Sequence, residues 1–175
     1  MKVAITGHTK GLGLACAKLF EKHGHTIVGL SRSNGFDLKN TEQIIATVSG
    51  CDVFINNAYH DDYQAALLND LFHIWANTDK TIITIGSIIT VYPRLEIERD
   101  REPWKYREHK QYLERVFRHL TRLPHTCHMQ LISPGAIDTE MIAHLDCTKM
   151  PAETVAKIIY DTMSNRLIKE LTIYE

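Results

Sequence analysis

Short apolar segments rich in β-branched residues alternate along the chain with longer segments in which apolar residues recur every three or four positions. The short segments have the length and composition of strands, and the longer ones have the period of amphipathic helices. The predicted strands cover residues 3–6, 25–31, 36–38, 52–58, 80–86, 126–133 and 171–174. This alternation predicts a doubly wound α/β fold, in which a parallel sheet of about seven strands carries helices on both faces.

The length of the chain suits one domain. A chain of 175 residues is long enough for a full hydrophobic core and leaves little room for a second one. Hydrophobic residues make up 44% and charged residues 23%, as in ordinary soluble globular proteins. We therefore expect residues 1–175 to form a single domain.

Charge, cysteine and histidine positions narrow the classes of function. A formal net charge of −1 gives no basic footprint for nucleic acid or an anionic membrane, and no apolar run approaches the roughly 18 residues of a membrane span. Residues 3–6 already form a predicted strand, which argues against a signal peptide. The four cysteines lie far apart, and the ten histidines show no metal-ligand spacing. We expect a cytoplasmic protein with reduced thiols and with no metal, nucleic-acid or membrane partner.

The first predicted strand ends in a glycine-rich segment, Thr6-Gly-His-Thr-Lys-Gly-Leu-Gly13, and an amphipathic helix follows it. Glycine permits a sharp turn and a close approach of the backbone to a ligand. The helix N-terminus offers unpaired N–H groups and a positive dipole end, which suit a pyrophosphate. The segment therefore predicts a dinucleotide site, with glycines spaced GxxxGxG instead of the common GxGxxG.

Four further patterns accompany later predicted strands. They are Asn56-Asn57-Ala58 at the end of one strand, Ser87 after the next, Tyr106 and Lys110 in the spacing YxxxK, and Pro134-Gly135 after the strand at 126–133. Together with TGxxxGxG, these patterns resemble the motifs of the short-chain dehydrogenase/reductase family, except that Tyr59 stands where the family's NNAG motif has its glycine. The resemblance covers nearly the whole chain and implies one NAD(P)-binding domain of the Rossmann type over residues 1–175.

The resemblance also implies a catalytic group. Its members are Tyr106 as acid/base, Ser87 as hydrogen-bond partner of the same substrate oxygen, Lys110 as ribose-binding residue, and Asn69 as the family's fourth catalytic residue. The i, i+4 spacing puts the Tyr106 phenol and the Lys110 ammonium on one helix face. A neighbouring ammonium favours the phenolate, so we expect Lys110 to lower the pKa of Tyr106. Tyr106 is the only tyrosine with a lysine four residues later.

The family's cofactor-binding positions transfer to residues of four regions of this chain. They are Gly7, Thr9, Lys10, Gly11, Leu12 and Gly13 in the glycine-rich segment, Ser31, Arg32, Asp37 and Leu38 after the second strand, Asn57 and Ala58, and Pro134, Gly135, Ile137 and Thr139. An NAD-selective site usually ends the second strand with an acid that binds the ribose hydroxyls. Here residues 31–33 read Ser-Arg-Ser, and Arg32 suits a 2′-phosphate. Lys10 matches a basic position of NADP-preferring relatives, so NADP(H) is expected ahead of NAD(H).

The sequence thus predicts an NADP(H)-dependent oxidoreductase that interconverts a carbonyl and an alcohol on a small molecule by hydride transfer. Two alternatives stay open: a cofactor-binding sensor or regulatory protein without catalysis, and an isomerase or epimerase that retains its cofactor. Relatives assemble as dimers or tetramers, so a homodimer or homotetramer is expected. A charged insert at residues 93–103 is compatible with a solvated flap, a substrate-facing loop or a subunit contact.

Overall fold

The computed structural model describes residues 1–91 and 103–174. The strands are β1 (Lys2–Thr6), β2 (Thr26–Leu30), β3 (Val53–Asn56), β4 (Thr81–Ile85), β5 (His128–Pro134) and β6 (Glu170–Ile173). The helices are α1 (Gly11–Lys22), α2 (Thr41–Val48), α3 (Tyr63–Trp75), α4 (Pro103–Leu120) and α5 (Ala152–Thr162). Short 3₁₀ turns cover Arg32–Asn34, Ile88–Thr90 and Glu140–Ile142.

The strands form one parallel sheet in the order β2-β1-β3-β4-β5-β6. The order reverses between β1 and β3, because the chain passes from β1 to β2 on one side and then returns to β3 on the other. The loops that leave β1 and β3 therefore diverge and open a crevice at the carboxyl ends of these strands. The predicted doubly wound α/β fold is confirmed.

Successive side chains of each strand enter two separate hydrophobic cores. In β3, Phe54 lies in the core formed with α2, α3 and α4, whereas Val53 and Ile55 lie in the core formed with α1 and α5. Fully buried aromatic side chains fill both cores, Trp75 in the first and Phe20 in the second. A sheet that is covered on both faces needs apolar residues at consecutive positions, which explains the short unbroken apolar runs of the sequence.

The sheet has six strands and not the seven predicted, because residues 36–38 fold as a turn. The Phe36 N–H donates to the Ser31 carbonyl at 2.9 Å, and the Asn40 N–H donates to the Asp37 carbonyl at 3.0 Å. These local bonds replace the pairing that a strand beside β2 would make. Residues 36–38 alternate apolar, polar and apolar, and a pattern of three residues is too short for periodicity to distinguish a strand from a turn.

Helix α4 begins at Pro103, and the rest of the predicted charged insert at 93–103 lies outside the described residues. The helix buries Leu113, Phe117 and Leu120 against the sheet and carries charged residues on much of its remaining surface. Across residues 1–91 and 103–174, neither α4 nor any other helix combines the length and the apolar character that crossing a membrane requires.

Truncation of a ring in the core between α1, α5 and the sheet tests this packing. Phe20 is fully buried, so Phe20→Ala is expected to lower the free energy of unfolding by about 3–5 kcal/mol through lost burial and the cavity left behind. Urea denaturation followed by circular dichroism measures the change. Leu167→Ala is the control, because Leu167 is 92% exposed and its truncation should change the free energy of unfolding by less than about 0.5 kcal/mol. Equal effects of the two substitutions would contradict the described core.

Candidate active site

The glycine-rich segment forms a tight loop between β1 and α1. Gly7 takes a left-handed φ of 71°, a conformation that favours glycine. Gly13 lies so close to the Gly7 carbonyl that a Cβ atom on residue 13 would overlap its oxygen. No side chain caps the first turn of α1, and that turn carries no acidic residue. The N-terminus of α1 therefore has free N–H groups and an uncompensated positive dipole end, which fit a phosphate.

The Thr6 side chain ties the end of β1 to the residues that follow β3. Its hydroxyl accepts hydrogen bonds from the backbone N–H groups of Asn57 and Ala58 at 2.9 and 3.0 Å. The Asn57 side-chain amide donates in turn to the Thr6 carbonyl at 2.9 Å. These three bonds fix the two loops that border the crevice.

A cavity of about 1100 Å³ occupies the carboxyl ends of β1, β3, β4 and β5. Fifteen predicted cofactor-binding residues line it: Gly7, Thr9, Lys10, Gly11, Leu12, Ser31, Arg32, Asp37, Leu38, Asn57, Ala58, Pro134, Gly135, Ile137 and Thr139. The sixteenth, Gly13, is not part of the lining and packs against Gly7 instead. Ser87, Tyr106 and Lys110 line the same cavity. The fold thus brings the predicted cofactor-binding and catalytic residues together, with Asn69 as the exception described below.

The two cations predicted to favour a 2′-phosphate have different surroundings. Arg32 is exposed at the cavity wall, between Ser31 and Ser33. Lys10 forms an ion pair with Glu140 at 3.1 Å, and both side chains are largely exposed. Glu140 follows Thr139 in a turn that lies against the glycine-rich loop, since a Cβ atom on Gly11 would come within 3.1 Å of Thr139. An acidic neighbour to Lys10 was not predicted from the sequence.

Asp37 lies in the turn that replaces the predicted seventh strand and lines the same cavity. Its carboxylate accepts the Lys39 N–H at 3.0 Å and lies 3.4 Å from the His60 ring. The Lys39 hydrogen bond, more than His60, holds the pKa of Asp37 below its usual range. The side chain is therefore a charged acceptor at the cavity edge.

Ser87 and Tyr106 meet where the chain leaves β4 and enters α4. Ser87 caps the Ile88–Thr90 turn, and its hydroxyl accepts the Ile89 N–H at 3.4 Å. The Ser87 hydroxyl also lies close enough to the Tyr106 phenol to lower its pKa, against the effect of burial. Two neighbouring hydroxyl groups in a cavity can hold one oxygen atom of a ligand between them.

Glu114 supports the turn that carries Ser87. It lies one helical turn beyond Lys110 on α4 and is 5% exposed. Its carboxylate accepts the Thr90 hydroxyl at 2.7 Å, and the same hydroxyl lies 3.0 Å from the Ser87 carbonyl. Burial raises the pKa of Glu114, while the Thr90 hydrogen bond and Arg118 act in the opposite direction. Glu114 therefore stabilises the turn that carries Ser87 through the Thr90 hydroxyl.

Lys110 is a buried cation that is held by neutral groups. It is 2% exposed, and its ammonium donates to the Gln64 side-chain oxygen and to the Ile85 carbonyl, both at 2.8 Å. Burial lowers the pKa of Lys110 to about 7, and the charge of Glu114 only partly opposes this. Near neutral pH the side chain is therefore divided between its charged and neutral forms.

The expected effect of Lys110 on Tyr106 is wrong for this structure. Burial raises the pKa of Tyr106 to about 12, and the nearby Ser87 hydroxyl only partly opposes the rise. The Lys110 ammonium lies 5.6 Å from the centre of the Tyr106 ring. Desolvation is the main cause of the shift, and Lys110, itself only partly protonated near neutral pH, does not reverse it. Tyr106 is therefore a neutral phenol near pH 7.

Asn69 does not lie with the other predicted catalytic residues. It is absent from the cavity lining, and its amide donates to the Asp70 carboxylate at 3.3 Å. The amide that contacts Lys110 belongs to Gln64, one residue into α3. Gln64 also donates to the Asn56 and Ile85 carbonyls at 2.8 and 3.1 Å, and these bonds fix the amide whose oxygen accepts from Lys110. The polar, fully buried Gln64 was missed, and its only sequence signal is an amide in an otherwise apolar helix face.

Lys110→Met tests the buried cation. The pKa of Lys110 is about 7 in the folded protein and near 10.5 in the unfolded chain, so the unfolded chain binds more protons between these values and wild-type stability rises with pH there. The variant lacks this contribution. The free energy of unfolding of the wild type minus that of the variant is therefore expected to increase from pH 6 to pH 9 in urea denaturation. The exposed Lys18, replaced by Met, should give no such trend, and a flat or falling difference for Lys110→Met would contradict the assignment.

Comparisons with known proteins show which solved structures share this fold. No protein-family model matches the chain, and no curated protein matches its sequence. A 3-ketoacyl-(acyl-carrier-protein) reductase from Brucella melitensis, complexed with NADH, has a similar structure, with a TM-score of 0.79, 16% identity, and 98% of this chain and 95% of that chain covered. A small-chain dehydrogenase in complex with NADPH gives a TM-score of 0.78, 13% identity and coverage of 100% and 96%. A short chain dehydrogenase from Burkholderia cenocepacia in complex with NADP gives a TM-score of 0.74 and 19% identity, with 99% of this chain and 88% of that chain covered. The chain therefore shares the fold of these three structures over almost its whole length.

Proposed function

We propose that the protein is an NADP(H)-dependent oxidoreductase of the short-chain dehydrogenase/reductase type, which interconverts a carbonyl and an alcohol on a small molecule. One observation carries the proposal: the neighbouring side chains of Ser87 and Tyr106 share a cavity with the uncapped N-terminus of α1, and Lys110 is buried in its wall. Structures of the same fold that carry NADH, NADPH or NADP lend support.

The residues present fit a dinucleotide. The free N–H groups at the start of α1 and the close approach of Gly13 to Gly7 leave a backbone cradle that suits a pyrophosphate. A cavity of about 1100 Å³ is large enough for such a ligand together with a small substrate. Asp37 and Leu38 would bind at the adenine side, and Pro134, Gly135, Ile137 and Thr139 would border the nicotinamide.

The chemistry requires one hydride and one proton. The cavity would hold a nicotinamide, whose chemistry when bound would be to supply or accept the hydride at the substrate carbon. Tyr106 exchanges the proton with the substrate oxygen, and the Ser87 hydroxyl donates a hydrogen bond to that oxygen. Since burial keeps the phenol protonated, Tyr106 is ready to give a proton to a carbonyl. In the reduction, the substrate carbon would gain a hydride, the substrate oxygen would gain the phenol proton, and water would later reprotonate Tyr106.

Lys110 has a supporting role in this scheme. Two neutral acceptors, Gln64 and the Ile85 carbonyl, fix its ammonium, and its remaining N–H would bind a cofactor ribose hydroxyl. Its charge grows as the pH falls through about 7. A charged Lys110 would stabilise the phenolate that forms after Tyr106 has given up its proton.

Arg32 carries the preference for NADP(H). Residues 31–33 offer two hydroxyl side chains and a guanidinium, and no acid that would bind the ribose diol of NAD(H). Lys10 contributes less than its sequence position implied, because Glu140 already neutralises it. The preference therefore rests chiefly on one exposed cation at the cavity wall.

Tyr106→Phe is the direct test of catalysis. Loss of the proton donor is expected to lower kcat by about 10²–10⁴-fold, while the Kd for NADPH, measured by fluorescence, stays within about twofold because the ring remains. Turnover is followed by the loss of NADPH absorbance over a panel of aldehydes and ketones. Tyr112→Phe is the matched control on the same helix, since Tyr112 is 43% exposed.

Two results would overturn this proposal in different ways. Full turnover by Tyr106→Phe would remove Tyr106 as the acid. Tight NADPH binding by the wild type, with no turnover on a broad carbonyl and alcohol panel, would favour the cofactor-binding sensor.

Arg32→Ala tests the cofactor preference. Loss of a partly exposed charge pair with the 2′-phosphate is expected to weaken NADPH binding by about tenfold, and NADH binding should change by less than about twofold because NADH lacks that phosphate. Separate fluorescence titrations with the two cofactors measure both constants. Arg166→Ala is the control, because Arg166 lies beside Asp79, away from the cavity lining. Parallel loss of both affinities would contradict the specific role of Arg32.

A further inference from the structure

Tyr59 stands in direct contact with the proposed acid. It follows Asn57 and Ala58 in the loop after β3 and lines the cavity. Its ring meets the Tyr106 ring edge to face, with centroids 4.7 Å apart and an interplanar angle of 78°. Contacts of this geometry are attractive and depend on orientation. The residue at which the sequence departs from the NNAG motif is therefore packed against the phenol on which the proposed chemistry depends.

His109 holds Tyr59 in this position. The Tyr59 hydroxyl and His109 Nδ1 are hydrogen-bonded at 2.9 Å. His109 lies three residues after Tyr106 on α4, so the anchor and the phenol belong to the same rigid helix. The Lys110 ammonium completes the group, 5.9 Å from the centre of the Tyr59 ring and 5.6 Å from that of Tyr106.

The loop that carries Tyr59 is itself fixed in an unusual conformation. Asp61 has a φ of 45°, and it is the one non-glycine residue with positive φ among the described residues. Its carboxylate lies 3.9 Å from His109 Nδ1, and that of Asp62 lies 3.8 Å from Nε2. The two acids therefore flank the His109 ring on both of its nitrogens. A strained residue that persists beside a cavity indicates a conformation that the surrounding contacts enforce.

We propose that Tyr59, anchored by His109, is a positioning residue that holds the Tyr106 phenol in its reactive orientation. This inference rests on the proposed function, because it assigns Tyr59 and His109 a role in the reaction of Tyr106. A ring that packs edge to face against Tyr59 on one side, and shares its cavity wall with Ser87, has little freedom to turn. Correct orientation of a reacting group is worth one or more orders of magnitude in rate.

Substitutions at His109 separate positioning from packing, because residue 59 remains a tyrosine in every variant and only its hydrogen-bond partner changes. His109→Leu removes the anchor and keeps a side chain of similar bulk. His109→Asn keeps a polar amide near the position of Nδ1 and is the conservative rescue. We expect His109→Leu to lower kcat by about tenfold with the Kd for NADPH changed by less than about twofold, and His109→Asn to recover most of the loss. His119→Leu, at the exposed end of the same helix, controls for the loss of a histidine.

A second measurement reports the mobility of the Tyr106 ring and does not require a substrate. In protein labelled with 3-fluorotyrosine, the ¹⁹F resonance of Tyr106 is identified by its loss in Tyr106→Phe. We expect one narrow Tyr106 line in the wild type and in His109→Asn, and a broadened or split line in His109→Leu, as the ring samples further orientations. An unchanged Tyr106 line in a folded His109→Leu variant would overturn the proposal even if no substrate had been found.

The kinetic and spectroscopic results also separate the two proposals. If the wild type turns over and His109→Leu keeps the full kcat, the positioning role is wrong and the oxidoreductase assignment stands. If the wild type binds NADPH without turnover, the oxidoreductase assignment is wrong, and the ¹⁹F line alone decides whether His109 and Tyr59 orient Tyr106. Equal loss of kcat in His109→Leu and His109→Asn would also overturn the anchor, because the rescue depends on the hydrogen bond.

Discussion

The site depends on the hydrogen bonds that connect the end of β1 to the loop after β3. The two strands are neighbours in the sheet, yet the chain leaves them in opposite directions, so their loops would separate without a bond between them. The Thr6 hydroxyl provides that bond by accepting two N–H groups from Asn57 and Ala58. Because the hydroxyl is buried, water cannot compete for these bonds, and the glycine-rich loop and the loop with Tyr59 keep a fixed separation.

Desolvation is the second organising force, and it acts on both members of the Tyr106–Lys110 pair. Burial raises the pKa of Tyr106 to about 12 and lowers that of Lys110 to about 7, so each group is driven toward its neutral form. Gln64 and the Ile85 carbonyl satisfy the lysine with dipoles and not with a countercharge. The pair therefore differs from a salt bridge, in which both members carry a charge.

Local patterns allowed most of the architecture to be predicted, because strand length, glycine spacing and the i, i+4 rule act within a few residues. The cavity lining was predicted mainly from the resemblance of the motifs to those of a known family. The predictions that failed depended on contacts with distant residues, on turn bonds too short in range for periodicity to reveal, or on burial. Gln64 meets Lys110 across 46 residues of sequence, so its role could not be read from α3, and Asn69 was chosen instead. The predicted strand at 36–38 was lost to turn bonds that a three-residue pattern does not reveal. The pKa of Tyr106 was predicted in the wrong direction because burial, which sequence spacing does not measure, outweighed charge.

The turn at residues 36–38 leaves one edge of the sheet free to contact other molecules. Without a seventh strand, β2 is the last strand on its side of the sheet, and its outer backbone groups have no partner strand in the described chain. Free sheet edges invite pairing between molecules, a common route to aggregation. Here the edge is only five residues long and includes Gly29, which weakens strand pairing. The shortness of β2 therefore limits the length over which a strand of another molecule could pair with this edge.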